Sequence, residues 1–147
     1  MTDRWHGRDL NRKISRCAKF CASTNQPNKK QHLVIGKQGE QIAQNYLVSL
    51  KYEIRDTNIR IKRDEIDIIA YDPFDNVLVF AEVKTRSKYR DDLSPSVNMT
   101  TSKRIKLCRS ARRWVCNHAY DGGYRIDLIY VAGGKVIQHV KEMEWID

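Results

Sequence analysis

The chain has 147 residues, close to the usual size of one compact domain, with 41% hydrophobic and 31% charged residues. Its 27 Lys and Arg against 18 Asp and Glu give a formal charge of +9, the balance of a basic, water-soluble protein. It carries no run of about 18 apolar residues and no apolar stretch suited to a signal peptide, so membrane spanning and secretion are not expected and the cytoplasm is the expected compartment. Four cysteines, Cys17, Cys21, Cys108 and Cys116, are too few for a disulfide-built scaffold.

Residues 1–31 hold eight Lys/Arg and two Asp, a net +6, and end in Ser23-Thr24-Asn25-Gln26-Pro27-Asn28-Lys29-Lys30, a polar stretch that reads as a flexible linker. We place a domain boundary near residue 32, with a basic N-terminal extension over 1–31 and the main domain over 32–147. Within the extension Leu10, Ile14, Cys17, Ala18 and Cys21 recur at helical spacing among basic residues. That pattern suits either a short helix that folds on a partner or a poorly ordered terminal arm. Ile35, Gly39, Ile42, Ala43, Tyr46, Leu47 and Leu50 lie on one side of a helical wheel, which predicts a helix over 33–50.

Strands are predicted over 52–61, 64–71 and 77–84, the last two joined by the turn residues Asp72-Pro73-Phe74-Asp75-Asn76. An exposed loop is expected over 85–98. Thr100 to Ser102 offer N-caps for a helix to about Asn117, with Ile105, Leu107, Cys108, Ala111, Trp114 and Val115 on its apolar side. Strands over 124–132 and 135–141 flank the tight turn Gly133-Gly134. This order predicts a mixed α/β (α+β) fold, a central mixed sheet flanked by helices.

The chemistry concentrates on two strands. Period-two alternation puts Glu65, Asp67 and Ile69 on one face of 64–71, with Ile66, Ile68 and Ala70 opposite, and puts Leu78, Phe80, Glu82 and Lys84 together on the next strand. If the hairpin forms, Asp67 and Glu82 converge, with Lys84 about 7 Å farther along the same face. Two converging carboxylates suit a hard divalent cation, Mg²⁺ or Mn²⁺, which lowers the pKa of bound water, while a neighbouring lysine orients that water or contacts a phosphate. An acid-x-Lys tripeptide by itself is more often an ordinary surface ion pair. Glu40 lies at the edge of the first helix's apolar arc, placed either toward a cleft beside the sheet or in water.

Gly36-x-x-Gly39-Glu40, Glu65-Ile66-Asp67-Ile68-Ile69, Glu82-Val83-Lys84-Thr85-Arg86 and Arg125-x-Asp127 occur in that order. Over about residues 35–141 the chain resembles the YraN-like family, a largely uncharacterised bacterial family. That family is similar in motif to archaeal Holliday junction resolvases and is grouped with the restriction-endonuclease-like PD-(D/E)xK nucleases. The resemblance implies a restriction-endonuclease-like fold in which Glu40, Asp67 and Glu82 hold the metal, directly or through water, and Lys84 is the catalytic lysine. Ile66 stands where the superfamily name has Pro.

Arg86, Lys88 and Arg90 follow the Glu-x-Lys strand, and Lys103, Lys106, Arg109 and Arg113 share the basic face of the second helix. These seven are candidate nucleic-acid contacts, the helix face being equally readable as solvated. Arg125 and Asp127 read as a structural ion pair, and Glu65 either supports Asp67 or faces water. Cys17 and Cys21 with His6 or His32 lack the paired spacing of a zinc site, and His118 and His139 have no acid or nucleophile partner at a diagnostic spacing. No phosphate-cradling Gly loop is present. The leading expectation is a metal-dependent endonuclease acting on DNA rather than RNA, on branched or single-stranded forms, with a homodimer suiting symmetric junction cutting by analogy. Its competitor is a non-catalytic nucleic-acid-binding module that retains the fold.

Overall fold

A computed structural model describes residues 29–86 and 99–142. The expected N-terminal extension up to residue 28, together with Lys88 and Arg90, lies outside the described residues. Two helices, α1 (Lys29–Ser49) and α2 (Thr101–Asn117), flank five strands: β1 (Glu53–Ile61), β2 (Asp64–Asp72), β3 (Val77–Arg86), β4 (Gly123–Ala132) and β5 (Lys135–Val140). The strands lie in the order β1-β2-β3-β4-β5 and are antiparallel except for the β3–β4 pair, which is parallel and linked through α2. This is the mixed sheet between helices expected of a restriction-endonuclease-like fold.

Each helix buries one stripe against one sheet face. Ala43 and Leu47 of α1 pack with Ile68, Ala70, Val79, Ala81, Val83, Ile129 and Val131; Leu107, Cys108 and Ala111 of α2 pack with Ile66, Ile69, Phe80, Ile126 and Leu128. The first helix starts at Lys29, four residues ahead of the predicted start, so Lys29 and Lys30 belong to it and not to the expected linker. It ends with Lys51 in the left-handed region (φ 70), the Lys51 N–H donating to Val48 O and the Tyr52 N–H to Leu47 O. This is a Schellman closure with lysine in the place glycine usually takes. At the start of α2 the Thr100 side chain accepts from the Lys103 N–H, as the predicted cap requires. Gly133 and Gly134 both have positive φ, matching the expected β4–β5 turn.

One alternation departs from expectation. Ile66 packs on the α2 side together with Ile69, although strict period two would separate them. The β2–β3 ladder ends at Ile68 opposite Ala81, so the first half of β2 is held by β1 alone and its side chains rotate relative to the second half. That fork between β2 and β3 positions the site.

Candidate functional site

At the fork, the Val83 N–H, with no ladder partner on β2, donates instead to Asp67 Oδ2 at 2.7 Å. Glu82 stands on the α2 face of β3, opposite Leu128 of β4, and its side chain is 3% exposed. Two ammonium groups reach the same oxygen: Lys84 Nζ lies 2.8 Å and Lys103 Nζ 3.1 Å from Glu82 Oε1. Glu82 Oε2 is buried and has no hydrogen-bond partner.

Burial pushes the Asp67 carboxyl up to about 7, and the Glu82 charge adds to that rise. The Val83 N–H opposes it, the Glu40 charge adds to it again, and Lys103 opposes it. Glu40, half-buried on α1, is therefore electrically part of the site although it acts on Asp67 less strongly than Glu82 does. Its placement depends on Gly39. A Cβ there would stand 1.8 Å from Thr85 Oγ1 and 2.8 Å from Thr85 Cβ, so only glycine lets α1 press onto the end of β3. At Gly36 a Cβ would meet nothing within 4 Å.

Among the described residues, no three carboxylate, imidazole or thiol groups are gathered as a ready-made cation cage. What the fork offers is one buried carboxylate, Glu82, with an oxygen unpartnered, beside a half-buried one, Asp67, raised toward its neutral form by its partial burial and then by the Glu82 charge. Hard oxygen donors in that state fit Mg²⁺ or Mn²⁺, and Glu40 adds a third negative charge that is felt at Asp67.

The candidate nucleic-acid residues separate. Lys103 joins the carboxylates instead of continuing the outward face of α2. Arg109 is engaged by Asp64 of β2 at 2.7 Å, a hydrogen bond that lowers the Asp64 pKa, and so ties the start of β2 to α2. Arg113 is half-buried and lines a cavity of about 470 Å³ along α2 with Ile105, Cys108, Arg112 and Cys116. Arg86 and Lys106 are exposed near the fork, as are three residues the sequence reading passed over, Arg60, Lys62 and Arg63 around the β1–β2 turn. Their signal was the basic cluster beside the two-residue turn. Also overlooked was Tyr130, opposite Lys84 in the ladder, with its hydroxyl buried and unpartnered. Glu65 is exposed.

Arg125 and Asp127 occupy the other face of the sheet and form the expected ion pair at 3.0 Å, within a larger cluster. Arg125 also donates to Asp72 and to the Tyr52 hydroxyl, each at 2.7 Å, and to Asp75 at 2.5 Å. Burial raises the Asp72 pKa, but the hydrogen bonds from Tyr52, Arg125 and the Phe74 and Asp75 N–H groups outweigh it and hold the carboxyl well below the usual range. His139 does find an acid: its Nε2 lies 2.9 Å from Asp127 Oδ2, a cross-strand contact that sequence spacing did not reveal. This cluster fastens the β2–β3 turn to the β4–β5 edge and is separated from Glu82 by the sheet.

Comparison with known proteins agrees with the motif order. The model of "Uncharacterised protein family UPF0102", the YraN family, matches residues 39–131, which include Glu40, Asp67, Glu82, Lys84 and Lys103. A UPF0102 protein of Pelobacter propionicus is 36% identical over 110 residues, covering 71% of this chain and 78% of the relative. One of Campylobacter fetus is 38% identical over 109 residues, covering 73% and 93%, and one of Clostridium botulinum is 40% identical over 99 residues, covering 66% and 78%.

Proposed function

The chain belongs to the uncharacterised protein family UPF0102, and from the site it carries we propose that it is a metal-dependent endonuclease hydrolysing phosphodiester bonds of DNA in the cytoplasm, with branched or single-stranded DNA as the favoured form. The observation that carries this reading is Glu82: a buried carboxylate with one oxygen unpartnered, beside the half-buried carboxylate of Asp67, and followed two residues later by a lysine on the same face. A pair of surface carboxylates serving only solubility would not be taken out of water at this cost.

Asp67, Glu82 and, through water, Glu40 would hold Mg²⁺ or Mn²⁺, which supplies a more acidic bound water and screens charge growing on the phosphate. The protein's own groups do the rest. The Val83 N–H fixes the Asp67 carboxylate, so its orientation does not depend on side-chain freedom. Lys84, 35% exposed at its side chain, reaches from the strand end toward solvent, where its ammonium can orient a water or meet a phosphate oxygen. Arg86 and Lys106, with Arg60, Lys62 and Arg63, provide the exposed positive charge that draws a polyanion to this end of the sheet.

The test is cleavage of a labelled panel of duplex, single strand, flap, four-way junction and RNA with Mn²⁺, Mg²⁺ or EDTA, beside Asp67→Asn and Glu82→Gln proteins purified identically. Cutting that needs the cation and disappears in both variants supports the reading. Cleavage retained by Asp67→Asn refutes the assignment, and salt-dependent binding without any cleavage favours the non-catalytic module.

A further inference from the structure

The second lysine on Glu82 is not explained by the needs of its own helix. Counting from the Thr100 cap, Lys103 is the third residue of the first turn of α2, where the peptide dipoles present their positive end and a cation is disfavoured. It is also where a capping box would carry Glu or Gln, reaching back to the cap N–H. Thr100 performs its half of that arrangement, accepting from the Lys103 N–H, but lysine stands in the reciprocal place and no acid occupies the first turn. Helix stability therefore argues against this residue, and what holds its ammonium is Glu82 Oε1, an oxygen already bound by Lys84.

We propose that Lys103 is a mobile second lysine of the reaction site, held by Glu82 before a divalent cation binds and turned to the scissile phosphate once that cation takes the carboxylate. The inference rests on the endonuclease reading and names a further residue for it. Lys84 and Lys103 stand on Glu82, Glu82 acts by its charge on Asp67, and Glu40 does so more weakly, so without a cation these five groups carry one negative charge in excess when all three carboxylates are ionised. A divalent cation reverses that sign, and a phosphate is then attracted where it was repelled. The Lys103 side chain is 39% exposed, so its head can swing into solvent while Lys84 stays on Glu82. An ammonium 3.1 Å from the carboxylate also competes with the cation for Glu82. The same residue should therefore weaken cation binding and assist cleavage, a combination that a structural ion pair does not predict.

Lys103→Met, Lys103→Arg and Asp67→Asn proteins would be compared with wild type in two measurements: Mn²⁺ affinity by calorimetry without nucleic acid, and single-turnover cleavage of the best panel substrate at saturating Mn²⁺. We expect Lys103→Met to bind Mn²⁺ about threefold or more tightly, through loss of a nearby positive charge, and to cleave about tenfold or more slowly. Lys103→Arg should keep wild-type affinity within about twofold. Unchanged or weaker Mn²⁺ binding by a folded Lys103→Met protein overturns the competition, whatever happens to cleavage. Wild-type cleavage by Lys103→Met, with Asp67→Asn inactive, overturns the phosphate contact while leaving the endonuclease reading intact. Absence of cleavage by wild type, or equal cleavage by Asp67→Asn, overturns the endonuclease reading and the phosphate contact with it.

Discussion

Replacing Asp67 by Asn should make the metal-free protein more stable at alkaline pH. Folding raises the Asp67 pKa from 3.8 to about 7, so the folded state binds this proton more tightly than the unfolded chain does. Its contribution is fully present below 3.8 and is lost as the pH rises through about 7. At 1.36 kcal/mol per pKa unit the whole loss is about 4 kcal/mol, of which about 3 kcal/mol falls between pH 5 and pH 8. Asn retains an oxygen to accept from the Val83 N–H and carries no charge, so the variant lacks this loss. Urea unfolding of both proteins in EDTA at pH 5, 6, 7 and 8 measures the difference directly, because every other ionisable side chain is common to both. Wild type should fall relative to Asp67→Asn by about 3 kcal/mol across that range. At pH 8, Mn²⁺ at a hundred times its Kd should restore about 2.7 kcal/mol to wild type, and far less to the variant. Parallel pH curves for the two proteins would refute the argument that Asp67 is charged at the expense of the fold.

The Schellman closure of α1 places Lys51 in the left-handed region, so Lys51→Gly should raise stability by about 1 kcal/mol in the same unfolding assay, with cleavage unchanged. Gly39→Ala drives a methyl into Thr85 and should cost about 1–3 kcal/mol and reduce activity by displacing Glu40, whereas Gly36→Ala, which meets nothing, should stabilise α1 by about 0.5–1 kcal/mol. Arg125→Met takes from the buried Asp72 and Asp127 the guanidinium they share, leaving Asp72 only Lys141 at 3.7 Å, and should destabilise by about 3–5 kcal/mol, read as a lowered Tm. Neutralising Lys62 and Arg63 together should leave the Tm unchanged and make the slope of log affinity for duplex DNA against log salt shallower by about 0.9 for each phosphate that the protein no longer neutralises.

Most of the architecture was legible because its signals are local. The spacing of Ala43 and Leu47, the turn residues 72–76, the Thr100 cap and the Gly133-Gly134 pair each predict a feature that the structure contains. The nearness of Asp67 to Glu82 was legible because a short turn brings neighbouring strands side by side, while the period of two that decides which side chains share a face holds only as far as the ladder runs. Ile66 escaped that rule because the ladder stops at Ile68, and no local pattern marks where two strands part.

The sequence alone thus determined the helices, strands and hairpins, the family, and the acidic and basic residues of the Glu-x-Lys strand, since these depend on intervals of a few residues. Only the tertiary structure decided the partners of charges far apart in the chain. Lys103 meets Glu82 from the far side of a 14-residue connection between β3 and α2, Arg109 meets Asp64 across 45 positions, and Arg125 gathers Tyr52, Asp72 and Asp75 from 50 or more away. A helical wheel tells which way Lys103 points from its own axis but not where that axis lies against the sheet. The packing of Leu107, Cys108 and Ala111 beneath Phe80 sets that position, and with it whether a lysine faces water or a buried carboxylate.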